Sequence, residues 1–166
     1  GVHKSSSKLQ KYFDKGVKKV IVSAPINENN IVNIAYGVNH NIYKPKEHNI
    51  ITGASCTTNC IAPIIKVLHE NIGINHGSIT TIHNLTNSQT LVDIPHNDLR
   101  RGRSAINNLI PNTTCSAKDI SLIYPELKDR LNGHAVRVPL LNASLTDCVF
   151  ELKKDTTESK VNKLFK

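Results

Sequence analysis

A short apolar strand that runs through a glycine into a helix is the feature that most constrains the fold of this chain. Residues 49–52 are apolar and strand-like, Gly53 and a run of small residues follow, and apolar residues then recur at helical spacing. These positions are Ile61, Ile64, Ile65, Leu68 and Ile72. Gly73 is a typical helix stop. The pattern predicts a strand–turn–helix unit with Cys56 at or just before the helix N-terminus.

Cys56 is a candidate nucleophile because of this position. Backbone N–H groups at a helix N-terminus carry partial positive charge, which favours a thiolate over a thiol. The same N–H groups, together with the hydroxyls of Ser55 and Thr57, would form a donor-rich pocket for an anion such as phosphate. Composition alone favours the alternative that Cys56 is an ordinary buried cysteine.

The composition is that of a globular protein. A chain of 166 residues is long enough to bury a core. No apolar run reaches the roughly 20 residues that cross a bilayer, and the first residues lack signal-peptide character. Four cysteines without regular spacing do not form a disulfide framework, so we expect a reducing, cytoplasmic setting. Because no apolar run is long enough to cross a bilayer, we also expect no membrane association.

The net charge of +8 does not by itself indicate nucleic acid. The basic residues are scattered, no aromatic residues alternate with them to form a stacking platform, and no nucleic-acid motif occurs. A positive field would equally suit a phosphorylated substrate and a dinucleotide.

Periodicity predicts further elements along the chain. The first is an amphipathic helix over residues 5–15, with Leu9, Tyr12 and Phe13 on one side and Gly16 as its stop. Beyond it we predict strands at 19–23, 34–38, 78–83, 133–139 and 144–152, a polar segment at 25–33, a helix ending at Pro125, and an amphipathic helix over 156–166.

Cys60 lies one helical turn after Cys56 and on the same side of the helix. Zinc sites built on cysteine use C-x-x-C pairs and a matched second half, which this chain lacks, so we predict no metal. We expect Cys60 to be a small core residue beneath the active site and Cys148 to lie in the core.

The residues around the candidate nucleophile read Ser-Cys-Thr-Thr-Asn-Cys at 55–60. This string resembles the active-site signature of the glyceraldehyde-3-phosphate dehydrogenase family, and the resemblance extends over essentially the whole chain. Further matching runs follow the family's order at 20–25, 37–40, 80–83, 109–111, 125–127 and 135–139.

The resemblance implies an α/β fold in two parts. Residues 1–53 would be the end of a Rossmann-type doubly wound NAD-binding sheet, and residues 54–166 an α+β catalytic domain with a mostly antiparallel sheet. No G-x-G-x-x-G turn occurs in the chain. We therefore expect an internal piece of a protein about twice as long, inactive in isolation; a natural short form is the alternative.

The resemblance also implies the catalytic pair. Cys56 would be the nucleophile, and His83, which ends a predicted strand, would stabilise its thiolate and act as acid and base. The implied substrate- and phosphate-binding residues are Ser55, Thr57, Thr86, Ser88, Arg101, Thr114, Cys115 and Arg137.

Some of these roles have structural alternatives. Ser23, which would lie beside the nicotinamide, could equally be a plain strand terminator. Arg101 either helps to hold the substrate phosphate or shape its loop, or it belongs to a solvated charge cluster. Arg137 is either the partner of the C3 phosphate or a structural arginine at a sheet edge. Cys115 stands where the family has a glycine; a cysteine resists positive φ, so the anion site there could be altered.

The implied activity is oxidation of glyceraldehyde 3-phosphate with NAD or NADP through a cysteine thioacyl intermediate, in a homotetramer. The acyl acceptor would be inorganic phosphate, or arsenate in the subgroup encoded beside organoarsenical efflux permeases, which the runs 83–87 and 133–148 resemble. The alternative hypothesis is a non-catalytic chain, either a degenerate fragment or a basic binding module.

Overall fold

The computed structural model describes residue 3, residues 5–26 and residues 28–166, which form two compact units, Gly1–Val67 and Leu68–Lys166. Asn27, in the polar segment predicted at 25–33, lies outside the described residues.

The first unit contains a helix, α1 (Ser6–Phe13), and three short strands. These are β1 (Val20–Val22), β2 (Val32–Asn33) and β3 (Ile50–Thr52). The strands are all parallel, in the order β1-β3-β2. This is the parallel arrangement expected at the end of a Rossmann-type sheet.

The predicted apolar side of α1 is its buried side. Leu9 is almost fully buried and belongs to one core cluster with Val22 and Ile26, against which Tyr12 and other partly buried residues pack. Gly16, with φ of 87°, follows the helix and terminates it as predicted.

The prediction of a strand at 34–38 is wrong, because the strand in this region, β2, occupies Val32–Asn33 instead. The side chain of Asn39 explains the difference. Its Oδ1 accepts from the backbone N–H of Ala35 at 2.8 Å, and its Nδ2 donates to the carbonyl of Asn33 at 3.0 Å. These bonds use backbone groups that a longer strand would need for its ladder, so the chain turns away after Asn33.

Helix α2 (Cys56–Asn71) begins at the cysteine, as the sequence predicts, and Gly73 follows its end with φ of 88°. Most of α2 belongs to the first unit and its last turn to the second. Pro63 lies inside the helix and, having no N–H, cannot donate to the carbonyl of Asn59.

The second unit is built on a four-stranded sheet. Its strands are β4 (Ile74–His83), β5 (Ile110–Thr113), β6 (Leu131–Arg137) and β7 (Ser144–Leu152). Their order is β5-β6-β4-β7; the two outer pairings are antiparallel and the central β4–β6 pairing is parallel. This confirms an α+β unit with a mostly antiparallel sheet.

Two helices complete the second unit, α3 (Ser116–Ile123) and α4 (Glu158–Leu164), with a 3-10 turn at Pro125–Leu127. Helix α3 packs against β6. The deeply buried apolar side chains of this unit are Ile74, Ile79, Ile110, Ile120 and Leu127. None of the helices in the described residues is long and apolar enough to traverse a membrane.

Candidate active site

The turn between β3 and α2 holds its backbone in an unusual conformation. Ala54 is buried and has φ of 55°, in the left-handed region that residues other than glycine rarely adopt. The N–H of Gly53 donates to the carbonyl of Val22 at 2.9 Å, and the N–H of Ala54 donates to Thr52 Oγ1 at 3.2 Å. The chain therefore enters α2 from a defined direction.

Ser55 caps α2. Its Oγ accepts from the backbone N–H of Thr58 at 3.0 Å, the typical N-cap interaction, and lies 2.6 Å from Thr58 Oγ1. Cys56 is the first helical residue and is exposed, whereas Thr57 is buried. The structure thus places the candidate thiol, exposed, at the first position of the helix.

Cys60 is exposed, so the expectation that it lies in the core is wrong. It shares a side of α2 with Cys56, and that side is exposed at both positions. Cys148, also expected in the core, is only half-buried. Among the described residues, no group of three or more His, Cys, Asp or Glu side chains could hold a metal ion.

His83 is buried at the carboxyl end of β4, opposite Arg137 on β6. His83 Nδ1 lies 2.8 Å from the carbonyl oxygen of Asn84, and Arg137 Nη1 donates to the same oxygen at 2.9 Å. The structure therefore brings two of the predicted site residues into direct contact. Arg137 as a whole is partly buried, and the Nε of its guanidinium is buried.

Asn84 organises this pair but was not among the residues that the sequence suggested. Its side-chain amide donates to the carbonyl of Leu141 at 3.3 Å, and its backbone N–H donates to Ser144 Oγ at 3.3 Å. Its contribution to His83 comes from a backbone carbonyl, which every residue carries. Only its position directly after the strand-end histidine could have indicated it.

Thr86 and Ser88 lie together in the loop that follows. Their hydroxyl oxygens are 2.9 Å apart, and both hydroxyls donate to Gln89 Oε1, which also accepts from the N–H of Thr86. Both residues are exposed. Gln89, which the sequence did not single out, shapes this hydroxyl pair.

Arg101 lies in a small ion-paired loop. Its Nε is 3.5 Å from Asp98 Oδ2, and Arg100 Nε is 3.2 Å from Asp98 Oδ1. The hydrogen bond from Arg100 is the main cause that lowers the pKa of Asp98 below its ordinary value. The role of Arg101 toward a substrate phosphate stays a prediction.

Thr114 and Cys115 form the turn between β5 and α3. Thr114 Oγ1 accepts from the N–H of Ser116 at 3.3 Å and lies 3.0 Å from Ser116 Oγ. Cys115 is exposed and has φ of −91°, in a region open to any residue. The cysteine is therefore accommodated at this position without backbone strain.

Ser23 directly follows β1 and is exposed at the carboxyl edge of the parallel sheet. Ligands of open parallel sheets bind at that edge, so an exposed serine there fits a dinucleotide. Ser23, Ser55, Cys56 and Thr57 belong to the first unit. The remaining candidates belong to the second; they are His83, Thr86, Ser88, Arg101, Thr114, Cys115 and Arg137.

The chain thus has a cysteine at the first position of a helix that follows a parallel strand, and a strand-end histidine in contact with an arginine. The sequence model of the family described as "Glyceraldehyde 3-phosphate dehydrogenase, C-terminal domain" matches residues 55–166. The chain belongs to the glyceraldehyde-3-phosphate dehydrogenase family.

Individual relatives agree with this assignment. The chain is 59% identical over 166 residues to glyceraldehyde-3-phosphate dehydrogenase 3 of Nostoc sp. (strain PCC 7120), covering 100% of this chain and 49% of that protein. It is 51% identical over 156 residues to glyceraldehyde-3-phosphate dehydrogenase of Geobacillus stearothermophilus, covering 94% of this chain and 46% of that protein. The chain therefore spans about half the length of these curated relatives.

Proposed function

We propose that the full-length gene product is a phosphorylating glyceraldehyde-3-phosphate dehydrogenase that uses NAD or NADP. The observation that carries this proposal is the exposed thiol of Cys56 at the first position of α2, within the family's signature string. The named activities of the relatives support the reaction class.

Cys56 is the proposed nucleophile. Its thiolate adds to the aldehyde carbon and forms a thiohemiacetal, and oxidation of this adduct gives a thioester, which splits one difficult reaction into easier steps. A bound nicotinamide cofactor supplies the hydride acceptor, and Ser23 is the residue of this chain proposed to lie beside it.

His83 is the proposed acid and base. The guanidinium of Arg137 can only donate and lies 2.6 Å from His83 Nδ1, so Nδ1 accepts from it until a substrate phosphate draws Arg137 away. The His83 Nδ1–H then donates to the carbonyl of Asn84, and the neutral ring has its lone pair on Nε2, where it can accept the proton that the thiohemiacetal hydroxyl loses on oxidation. The contact with a backbone carbonyl supports this role, since a second hydrogen bond fixes which ring nitrogen carries the proton.

Arg137, Thr86 and Ser88 are proposed to hold the C3 phosphate of the substrate, with Arg101 shaping their surroundings or joining them. A forked guanidinium suits a phosphate because it can donate two parallel hydrogen bonds. The two adjacent exposed hydroxyls of Thr86 and Ser88 would turn from Gln89 Oε1 to the phosphate and add further donors.

The proposed acyl acceptor is an oxyanion, either inorganic phosphate or arsenate. The donors proposed for it are the hydroxyls of Ser55, Thr57 and Thr114 and the backbone N–H of Cys115. The turn at Cys115 departs from the glycine of the family, and this departure supports the arsenate-using subgroup. Arsenate would give an unstable arseno-phosphoglycerate.

The proposal also includes a domain boundary, an oligomeric state and a cellular location. The cofactor-binding part ends at Gly53 and the catalytic part begins at Ala54, which the start of the family match at residue 55 supports. The protein acts as a homotetramer, and it acts in the cytoplasm.

Reduction of NAD or NADP by glyceraldehyde 3-phosphate, followed at 340 nm on the full-length gene product, tests the reaction. We expect Cys56→Ser to lose at least about a thousandfold in kcat. Cys60→Ser, one turn along the same helix, is the matched control and should retain activity. Full activity in Cys56→Ser would refute the proposal and favour a non-catalytic binding module.

The kinetics of the acyl acceptor test whether the enzyme uses phosphate or arsenate. With saturating aldehyde and cofactor, kcat/KM for arsenate is compared with kcat/KM for phosphate. A preference for arsenate supports the subgroup, whereas a strong preference for phosphate removes arsenate and leaves the dehydrogenase proposal intact.

A further inference from the structure

The side chain of Asn59 donates hydrogen bonds to both ends of the turn that precedes the candidate nucleophile. Its Nδ2 donates to the carbonyl of Gly53 at 2.5 Å and to the carbonyl of Ser55 at 2.9 Å. These two carbonyls lie on either side of Ala54. One amide group, projecting from the first turns of α2, therefore spans the whole turn.

Ala54 is the residue that needs such a restraint. In the left-handed region its Cβ crowds the backbone, so a residue other than glycine adopts this conformation only when its surroundings impose it. The side chain of Ala54 is buried and its N–H donates to Thr52 Oγ1. The amide of Asn59 reaches the carbonyl before Ala54 and the one after it, and the carbonyl of Ser55 also accepts from the backbone N–H of Asn59 at 2.9 Å.

We propose that Asn59 is a positioning residue for Cys56. Its amide holds Ala54 in the left-handed conformation, and this conformation presents Cys56 at the first position of α2 with an exposed thiol. Without the amide, Ala54 relaxes toward right-handed backbone angles and the carbonyl of Gly53 rotates with it, while the backbone N–H of Asn59 still holds the carbonyl of Ser55. The thiolate then loses the fixed donor environment of the helix N-terminus. The catalytic meaning of this role depends on the function proposed above.

Alkylation by iodoacetamide at pH 7 measures the thiol directly. The rate at Cys56 is followed by peptide mass spectrometry in the full-length gene product and in its Asn59→Ala variant. We expect alkylation to be about tenfold slower in the variant, because relaxation of a strained residue of this kind changes conformer populations by about that factor. Cys115 is exposed and belongs to the other unit, so its alkylation rate is the internal control.

A second substitution distinguishes positioning from plain stabilisation. Glycine adopts positive φ without the steric penalty of alanine, so Ala54→Gly removes the need for the restraint. We expect Ala54→Gly combined with Asn59→Ala to be alkylated within about threefold of the wild-type rate. If Asn59 only stabilised the fold, glycine would not restore the reactivity of the thiol.

The proposal is overturned if Asn59→Ala keeps the wild-type alkylation rate, or if the double variant reacts no faster than Asn59→Ala. Circular dichroism checks folding, and Asn59→Ser, whose side chain is too short to reach Gly53, replaces Asn59→Ala if the latter does not fold. Aldehyde oxidation by the wild type is measured separately. A wild type without that activity refutes the proposed dehydrogenase function, while the alkylation series still tests Asn59.

Discussion

Arg137 Nη1 lies only 2.6 Å from His83 Nδ1, because both nitrogens approach the carbonyl oxygen of Asn84. The guanidinium can only donate, so at this distance His83 Nδ1 accepts from Arg137, while the carbonyl oxygen accepts from the same guanidinium. The contact places a permanent positive charge beside the histidine. A substrate phosphate that attracts the guanidinium would free Nδ1 to donate to the carbonyl, so we expect substrate binding to change the hydrogen bonding of His83.

Arg137→Lys tests the phosphate role of this arginine in the full-length protein. Lysine keeps the charge but loses the planar fork, so we expect the KM for glyceraldehyde 3-phosphate to rise by about tenfold with a smaller change in kcat. Glyceraldehyde without the phosphate is the control substrate, and its steady-state kinetics should stay unchanged. Equal losses with both substrates would indicate that Arg137 acts through His83 alone.

Gly77→Ala should destabilise the protein. A Cβ at this position would lie 2.4 Å from Phe150 Cδ1 and 2.8 Å from the carbonyl oxygen of Val149, so the neighbouring strand β7 would have to shift. We expect a loss of about 2 kcal/mol in the free energy of unfolding, measured by urea denaturation. Gly133→Ala, on β6, is the matched control, since its nearest contacts at 3.4 Å are ordinary. Similar losses in the two variants would contradict the packing argument.

His69→Leu should destabilise the end of α2. His69 Nδ1 accepts from the N–H of Ile74 at 3.1 Å, and Nε2 lies 3.0 Å from Glu126 Oε1. Leucine would leave the Ile74 N–H without its acceptor. We therefore expect the free energy of unfolding, measured by thermal unfolding, to fall by about 2 kcal/mol. His69→Asn offers Oδ1 as a substitute acceptor and should lose about half as much. Equal losses would show that the bond to Ile74 contributes little.

Tyr124→Phe should have an effect that depends on pH. Burial, followed by the hydrogen bond from the Tyr124 hydroxyl to Glu70 Oε1 at 2.8 Å, raises the pKa of Tyr124 above its ordinary value. The folded state therefore binds the phenolic proton more tightly than the unfolded chain does. The resulting stability is fully present below about pH 10 and decreases as the pH rises further.

For this variant we expect a loss of about 1 kcal/mol in the free energy of unfolding at pH 7. The difference from wild type should shrink above about pH 10, as measured by urea denaturation across the pH range. A constant difference up to pH 11 would contradict the raised pKa. Tyr36→Phe is the control, because Tyr36 is 85% exposed.

The elements predicted correctly are those whose signals are local. Helix α1 with its apolar side, the start of α2 at Cys56, the end of β4 at His83 and the glycine stops all follow from spacing and from residues next to one another in the chain. Such signals are carried by the segment itself.

The features that could not be predicted depend on partners distant in sequence or on backbone atoms. The predicted position of β2 is wrong because the side-chain amide of Asn39 hydrogen-bonds to backbone groups of Asn33 and Ala35. His83 and Arg137 meet at the backbone carbonyl of Asn84, and this gives no signal in the sequence because every residue carries a backbone carbonyl. The exposure of Cys60, by contrast, could have been predicted, because helical spacing places it on the same side as Cys56.

The parallel pairing of β4 with β6 has a consequence for how the second unit folds. Strand β4 is central, yet both of its neighbours come from beyond the long stretch that separates His83 from Leu131. Pairings of such wide sequence separation form slowly, because a large loop must close before any contact forms. During synthesis β4 therefore leaves the ribosome well before either partner strand exists, with both edges open to other chains. We expect this interval, rather than the stability of the finished sheet, to limit the yield of folded protein at high rates of expression.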